Sequence, residues 1–199
     1  VYSGLDGAWR MLDLSVETYF DQGTLADYWV NLSGLSKQDV DSIANVAGVK
    51  DVQARFTYDM DCPDLGDDVS LNVHAYDGAA RINVPQVVEG ENLYQNDRRG
   101  ILIQEEFAQE HDLHPGDMIR LDVLGQEQNF LIRGLINDAE HVITAKDVTP
   151  DPKTYGCAVI CWEAISYLPF NEAVVTVQED TDQTQVEADI QSLLPDALI

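Results

Sequence analysis

Five aspartates in one short stretch are the first residues whose type and spacing could support chemistry. They lie in DMDCPDLGDD, which contains no lysine or arginine, and they are Asp59, Asp61, Asp64, Asp67 and Asp68. Calcium binds several hard oxygen ligands, which closely spaced carboxylates can supply. The spacing fails the EF-hand pattern, because Pro63 stands at the third ligand position and Asp64 at the turn glycine. The stretch is either a calcium site or a solvated acidic loop, and we favour the loop.

A second candidate metal site combines carboxylates with imidazoles in QEEFAQEHDLHPG. A metal-dependent hydrolase would use Glu106, His111 and His114, with Glu105 and Glu110 nearby. The order H-E-x-x-H is not present. The simpler interpretation is a short helix whose terminal histidines are solvated or interact favourably with the helix dipole. We therefore predict no metal or cofactor here.

Motifs for nucleophilic catalysis and phosphate binding do not occur in the sequence. There is no G-x-S-x-G elbow, no G-x-G-x-x-G and no G-x-x-x-x-G-K-[ST]. His74 is predicted on the polar face of a strand and His141 in a loop, with no evident acid, base or nucleophile beside either. Pro115, Gly116 and Asp117 have the residue types of a tight turn, so we predict a corner there. No catalytic residue is predicted.

The first part of the chain predicts helices and strands in alternation. An amphipathic helix over the first ~22 residues is indicated by the 4-and-3 spacing of Leu12, Val16, Tyr19 and Phe20. The stretch ADYWVNL alternates as a strand. A helix begins after Ser36, which forms a capping-box pattern with Asp39, and VKDVQARFTYD is a second strand. Residues 26–58 are therefore a β-α-β unit.

Two further segments complete this outer layer. VSLNVHAY alternates with four apolar residues inward and with Ser70, Asn72, His74 and Tyr76 outward. Near the end, NEAVVTVQ is a strand, and Val186, Ile190, Leu193 and Leu194 stripe a helix that Pro195 terminates. The fold class predicted is α+β, a split β-α-β layer with helices on one face of a sheet.

The middle of the chain, residues 83–165, has a different pattern. It contains the short strand GILI, a short helix, and a hairpin whose two strands are separated at Gly125. Residues 137–156 are polar and contain prolines, which is typical of an exposed loop. We predict a small β-rich subdomain at 83–165, inserted into an α+β subdomain made of residues 1–82 together with 166–199.

Composition excludes some classes of partner. The 199 residues contain 36 acidic and 11 basic side chains, for a net charge of −25 and a pI near 4.1. This charge repels phosphate backbones and anionic lipid surfaces, so we predict no nucleic-acid binding. No apolar run reaches the ~18 residues that a membrane span needs. Cys62, Cys157 and Cys161 lack the doubled C-x-x-C spacing of a structural zinc site.

The order of these features resembles one transporter family. The stretches LADYWV followed by a helix and GVKDV, then VVEGENL, then ILIQEEFAQEHDLHPGDMIRL with FLIRG, are similar to the extracytoplasmic domain of FtsX/MacB-type ABC transporter permeases. The resemblance covers nearly the whole chain. It implies a porter-like α+β subdomain in two segments around an inserted sabre-like β-rich subdomain, in agreement with the division given above.

The resemblance also implies a function and partners. Such a domain is not an enzyme, because ATP hydrolysis in this family belongs to a separate or fused cytoplasmic nucleotide-binding domain. The implied partners are the protein's own transmembrane helices outside this fragment, the cytoplasmic ABC ATPase, and an extracellular peptide, lipid or protein, in a dimeric transporter. A chain that begins at Val1 and ends at Ile199 fits an excised ectodomain at the extracytoplasmic face of a bacterial membrane.

The leading hypothesis is thus a non-catalytic module that couples ATP-driven movement of membrane helices to export or to an outside partner. The two exposed loops, 59–68 and 137–156, are where we expect contacts, because loops on a rigid scaffold commonly carry recognition. The sequence leaves two alternatives open. One is a secreted metal-dependent hydrolase, and the other is a calcium-stabilised binding or adhesion module.

Overall fold

The computed structural model describes residues 25–137, 140 and 151–199. Within these ranges the chain forms one mixed nine-stranded sheet with three short α-helices and one 3-10 helix. The elements in order are β1 (Tyr28–Leu35), α1 (Lys37–Ala44), β2 (Val49–Asp61), β3 (Ser70–Tyr76), β4 (Gln86–Gly90), β5 (Gly100–Gln104), α2 (Glu105–Glu110), β6 (Met118–Val123), β7 (Gln126–Asn137), β8 (Tyr155–Cys161), the 3-10 helix Trp162–Ala164, β9 (Phe170–Val177) and α3 (Gln183–Leu193). The predicted N-terminal helix lies outside the described residues.

The first strands form a split β-α-β unit. The sheet order is β1-β9-β2-β3-β8-β5-β7-β4, and β6 pairs with β2 and β7. Because β9 is antiparallel to both β1 and β2, those two strands are parallel and α1 connects them. This confirms the predicted α+β class. Helices α1 and α3 pack on one face of these strands, where a buried cluster includes Val30, Ile43, Val52, Val186 and Ile190.

The start of α1 confirms the predicted capping box. The Ser36 hydroxyl accepts a hydrogen bond from the Asp39 backbone N–H at 3.2 Å, and the Asp39 carboxylate accepts one from the Ser36 backbone N–H at 2.9 Å. Both donors would otherwise lack intrahelical partners. The helix buries little apolar surface, since Ile43 is the one residue that it contributes fully buried. α1 therefore depends on both its cap and its contact with the sheet.

The second half of the sheet encloses its own apolar core. Strands β5 and β7 are parallel, β6 and β7 form the predicted hairpin, and α2 covers them with Phe107 and Ala108. At the hairpin turn Leu124 and Gly125 both have positive φ, 52° and 86°, which is the signature of a type I′ turn. At the corner before β6, Asp117 donates its N–H to the His114 carbonyl at 3.0 Å, which confirms the predicted turn.

The centre of the sheet is covered on both faces, which corrects one prediction. His74 and Tyr76 were expected to face solvent, but they are only 6% and 1% exposed. The reason is a third buried apolar cluster on the face opposite α1 and α3, to which Ile82 from the loop after β3 contributes. A strand with two covered faces buries its polar positions as well as its apolar ones. The face opposite α1 and α3 therefore contains buried polar side chains, such as those of His74 and Tyr76.

The predicted exposed loop at 137–156 is also partly wrong. Tyr155 and Gly156 belong to β8, which pairs in parallel with β3 from Ser70↔Tyr155 to Tyr76↔Cys161. Glu140 is buried. The remaining residues of that prediction, apart from Asn137 at the end of β7 and residues 151–154, lie outside the described ranges.

Candidate functional site

A buried arginine organises the polar face of the sheet. Arg55 alternates with Ala54 and Phe56 on β2, so its side chain lies on the face opposite α1 and α3, and the residue is 2% exposed. Its registered partners on the neighbouring strands are Glu172 on β9 and Tyr76 on β3. Registered residues of adjacent strands place their side chains on the same face. Strand pairing itself therefore brings the guanidinium to a carboxylate and a phenol.

The contacts of Arg55 match this register. Its Nε donates to the Glu172 carboxylate, and its Nη1 donates to the Tyr76 hydroxyl oxygen at 2.8 Å. Nη1 and Nη2 also donate to the two carboxylate oxygens of Glu140, at 2.7 and 2.9 Å. This paired geometry is the strong form of an arginine-carboxylate contact. All three guanidinium nitrogens thus donate to carboxylates.

Glu140 joins two other parts of the chain to Arg55. Its Oε1 accepts hydrogen bonds from the Trp29 indole N–H and from the Asn83 amide at 2.7 Å. The Asn83 Oδ1 in turn accepts the Ala26 backbone N–H at 2.7 Å. One carboxylate therefore ties β1, β2 and the loop after β3 together.

A hydrogen-bonded chain leads from this cluster to the surface. His74 Nε2 lies 2.6 Å from Asn72 Oδ1, the Asn72 amide donates to Asp59 at 2.7 Å, and the Tyr155 hydroxyl donates to Asp59 at 2.8 Å. A carboxylate accepts hydrogen bonds, so the Asn72 nitrogen faces Asp59 and its oxygen faces the histidine. The Nε2 of His74 must therefore carry a proton.

The pKa values of the two buried glutamates, Glu140 and Glu172, shift in opposite directions. Burial opposes ionisation of Glu140, but the charge and hydrogen bonds of Arg55, with help from His74 and Trp29, outweigh it and hold the Glu140 pKa below its usual value. Burial raises the pKa of Glu172, and Arg55 offsets this only in part. Burial also opposes the charge of Arg55, but Tyr76, Glu140 and Glu172 together keep the Arg55 pKa well above its usual value.

This cluster is suited to holding strands in place. A buried ion pair is not by itself a large source of stability, because the desolvation of both charges offsets their attraction. Removing one partner is costly, since the other charge then stays buried and uncompensated. The residues in the cluster, which we call the Arg55 cluster, are Trp29, Arg55, His74, Tyr76, Asn83, Glu140 and Glu172. Its chemistry fixes the relative position of the segments that meet there.

The five aspartates of the acidic stretch are all exposed, and they differ in their contacts. Asp59 belongs to the hydrogen-bonded chain above. Asp64 pairs with Arg120, a cation 56 residues later that the local sequence does not show. Within residues 25–137, 140 and 151–199, no group of three or more His, Cys, Asp or Glu side chains is arranged to hold a metal ion. Our preference for a solvated acidic loop over a calcium site stays a prediction.

The residues of the second metal candidate take up separate contacts around α2. The His111 ring packs on Phe107 with centroids 4.5 Å apart. The His114 backbone N–H donates to Asp117 at 2.8 Å, while Glu106 is exposed on the helix. The structure thus gives His111 a packing partner and His114 a place in the turn before β6. His141 lies outside the described residues.

The Arg55 cluster was not found by sequence reasoning. Arg55 and Glu172 are charged residues inside otherwise apolar strands, QARF and NEAVV, and this was the available signal. Charged residues are almost never fully buried unless paired, so two opposite charges in central strands indicate a buried pair. Glu140 carried no such signal, because it lies in a polar segment.

Comparison with solved structures places the fold. The extracellular domain of the ABC-type transporter YknZ from Gram-positive bacteria aligns over 84% of this chain and 92% of that domain, with a TM-score of 0.56 and 13% sequence identity. The periplasmic region of MacB from Actinobacillus actinomycetemcomitans aligns over 86% of this chain and 84% of that region, with a TM-score of 0.55 and 12% identity. No protein-family model and no curated protein sequence matches the chain.

The chain therefore has the fold of the extracytoplasmic domains of ABC-type transporters, as the sequence resemblance predicted. At this identity the similarity concerns the fold. No helix among the described residues is both long enough and apolar enough to span a bilayer.

Proposed function

We propose that this chain is the extracytoplasmic domain of an ABC transporter permease. In this role it couples ATP-driven movement of membrane helices to export or to a partner outside the membrane. The observation that carries the proposal is the similarity of fold to two transporter domains across more than four-fifths of the chain, 84% and 86%. The domain is not catalytic, and ATP hydrolysis occurs on a cytoplasmic nucleotide-binding partner.

The proposed division into two subdomains gives the Arg55 cluster a role. Glu140 belongs to the proposed inserted subdomain, residues 83–165, whereas Arg55, His74 and Glu172 belong to the outer subdomain, residues 1–82 with 166–199. The bidentate contact between Arg55 and Glu140, at 2.7 and 2.9 Å, thus crosses the proposed boundary. The pairing of β3 with β8 crosses it as well. A domain that transmits movement needs such ties, because a soft joint would absorb the displacement.

The same proposal accounts for the partners. The domain connects to transmembrane helices outside this fragment, works with a cytoplasmic ABC ATPase, and acts in a dimeric transporter on the extracytoplasmic face of a bacterial membrane. A coupling domain shifts a conformational equilibrium only if its contacts differ between the two transporter states. The outside partner is therefore one that binds the domain more tightly in one state than in the other.

The first test is the coding DNA on both sides of the fragment. We expect apolar stretches of ~20 residues close to Val1 and Ile199, the length of a membrane-spanning helix. A start codon or signal peptide directly before Val1, with a stop codon after Ile199, would contradict the proposal.

The second test asks where the domain lies in intact cells. Met118 is 56% exposed on β6, while the three native cysteines are buried. In the full-length protein with any cysteines outside this fragment replaced, Met118→Cys should react with a membrane-impermeant maleimide in intact cells, and the same protein with Met118 retained should not. Labelling of Met118→Cys only after cell lysis would place the domain on the wrong side of the membrane.

The third test concerns coupling. Glu140→Gln in the full transporter should reduce substrate-dependent or partner-dependent activity while basal ATP hydrolysis continues, because the ATPase site is elsewhere. Glu127→Gln is the matched control, since Glu127 belongs to the same proposed subdomain and its partner Arg120, at 2.9 Å, is on the surface. Equal effects of the two substitutions would remove the Arg55 cluster from the coupling mechanism.

A further inference from the structure

A partly enclosed cavity of about 340 Å³ lies on the same face of the sheet as the third apolar cluster. Strands β3, β5 and β8 supply Tyr76, Leu102, Val159 and Cys161 to its lining. The remaining walls come from two loops, residues 78–85 after β3 and residues 92–96 after β4. Small-molecule sites in proteins are typically concave, mostly apolar and about 300–1,000 Å³ in volume. The cavity falls at the lower end of this range.

The lining of this cavity is uncharged, which is unusual for this chain. Charged residues make up 24% of the sequence and the net charge is −25, yet none of the described residues that line the cavity is charged. A second cavity, about 390 Å³ beside α1, shows the contrast, because its lining includes Lys37, Lys50, Arg81, Asp41, Asp51 and Asp77. An uncharged, low-dielectric lining disfavours a charged guest, since burying an unpaired charge is costly.

The first loop is held in shape by a buried amide. Gln53 is 2% exposed and uses both ends of its side chain. Its Nε2 donates to the carbonyls of Asp77 and Ala79 at 3.2 and 2.8 Å, and its Oε1 accepts the Arg81 backbone N–H at 2.8 Å. This wall of the cavity is therefore fixed from behind by β2.

The second loop is held by a buried carboxylate. Asp97 accepts backbone N–H groups from Arg99 and Gly100 at 3.0 and 2.8 Å and the Arg133 Nε at 3.0 Å. The Arg133 guanidinium also lies over the Tyr94 ring, 4.7 Å from its centroid. The Cys161 thiol donates to the Tyr94 carbonyl at 3.6 Å, which connects the loop to β8. Both loops are thus preformed, as binding sites for small molecules usually are.

We propose that this cavity binds a neutral, largely apolar small molecule. At about 30 Å³ for each water in the liquid, roughly eleven waters would fill it, which corresponds to a guest of two or three rings or a short acyl chain. Asn92, Gln95 and Asn96 are also among the lining residues, and their polar groups can bond one neutral polar group of the guest. The proposal does not depend on the transporter function.

The test uses two dyes that share one ring system and differ in charge. N-phenyl-1-naphthylamine is neutral, and 1-anilinonaphthalene-8-sulfonate carries a sulfonate. Titrations are made at about 1 M salt, where the Debye length is about 3 Å and the long-range repulsion from the acidic surface is screened. We expect saturable binding of the neutral dye, with its fluorescence shifted to the blue, and binding of the sulfonate at least roughly tenfold weaker.

Filling the cavity should abolish the signal. Ala80 lines the cavity, and Ala80→Phe should weaken binding of the neutral dye at least roughly tenfold, since a phenyl ring takes up much of the space. Ala188→Phe is the matched control, because Ala188 is exposed on α3, which does not line the cavity. Circular dichroism checks that each variant is folded. If Ala80→Phe does not fold, Ala79→Phe, at an exposed position of the same lining, replaces it.

Three results of the dye titrations would overturn the proposal. They are no saturable binding of the neutral dye, equal binding by the Ala80→Phe and Ala188→Phe variants, and equal affinities for the two dyes. A dimer of this chain that Ala80→Phe dissociates would also overturn it, because a second copy would then cover the cavity.

Discussion

Arg55 on β2 donates to both carboxylate oxygens of Glu140, a residue 85 positions later in the chain, at 2.7 and 2.9 Å. The contact lies on the face of the sheet opposite α1 and α3, and both side chains are nearly inaccessible, at 3% and 10% exposure. Glu172 shares the same guanidinium. One cation thus compensates two buried carboxylates, and most of the cluster's charge balance depends on it.

Loss of this cation should be strongly destabilising. Arg55→Met keeps the length and apolar stem of the side chain but leaves Glu140 and Glu172 without their cation, so we expect a loss of about 3–5 kcal/mol in the free energy of unfolding. Urea denaturation followed by circular dichroism measures it. Arg81→Met is the control, since Arg81 and Asp51 form an exposed pair at 3.2 Å, and exposed pairs contribute about 0–1 kcal/mol. Equal losses in both variants would show that the Arg55 cluster is not a buried tie.

Glu140 should stabilise the protein at neutral pH and lose this effect in acid. Its pKa is lowered in the folded state, so between its folded and unfolded pKa values the unfolded chain holds more protons and stability rises with pH. The contribution is present above the unfolded value, near 4.3 for a glutamate, and is lost as pH falls through the folded value. The free-energy difference between the unsubstituted protein and Glu140→Gln should therefore shrink below about pH 4. A difference that does not change with pH would contradict the ionised state of Glu140.

Glu172 should show the opposite sign. Its pKa is raised in the folded state, so the folded protein holds the extra proton and stability falls as pH rises from the unfolded value through the folded one. The free energy of unfolding of Glu172→Gln, relative to that of the unsubstituted protein, should be highest at neutral pH. This relative gain should decrease towards pH 4. The measurement is the same denaturation series as for Glu140→Gln. Parallel pH profiles for the two variants would show that the two carboxylates are not distinguished by their surroundings.

The turn between β6 and β7 carries a residue that does not fit its backbone. Leu124 has φ of 52° and a side chain that is 49% exposed, and the left-handed conformation costs an ordinary residue roughly 1–2 kcal/mol. Leu124→Asn should raise the free energy of unfolding by about 1 kcal/mol, because Asn-Gly is the preferred pair in a type I′ turn. Met118→Asn also removes an exposed apolar side chain, but from a strand, and should give no gain. A gain in both variants would mean that replacing an exposed apolar side chain by a polar one stabilises the protein wherever it lies.

Local patterns predicted the parts of this fold that depend on local physics. Ser36 and Asp39 predicted the start of α1, because a capping box needs only four consecutive residues. Gly125 predicted the hairpin turn for the same reason. The side to which a strand residue points was predicted correctly for the apolar residues of VSLNVHAY, since Leu71 and Val73 are buried. It was wrong for His74 and Tyr76, because a third buried cluster, to which the loop after β3 contributes Ile82, covers their face.

The Arg55 cluster depends on pairing between distant segments, so the sequence alone could not predict it. Arg55 contacts Glu172, which lies 117 positions later, through the register of β2 with β9. It also contacts Glu140, which lies outside every described strand. No local spacing encodes such a meeting. The same applies to Asp64 and Arg120, whose contact corrects the expectation of an acidic loop without a nearby cation. The fold class was predictable because alternation and helical spacing repeat along the chain.

The buried thiols should be protected as long as the domain is folded. Burial, with a smaller contribution from Asp61, raises the pKa of Cys62 to about 12, and burial also raises the pKa of Cys161. Because the thiolate is the reactive form, only about one Cys62 in ten thousand would be ionised at pH 8. We expect slow reaction with a disulfide reagent in buffer and rapid reaction of all three thiols in urea, followed by absorbance. Met118→Cys should add one fast-reacting thiol in buffer, which shows that the reagent is active under native conditions. Fast reaction of the unsubstituted folded protein would mean that the core opens readily, and it would also remove the basis for using Met118→Cys as a topology marker in cells.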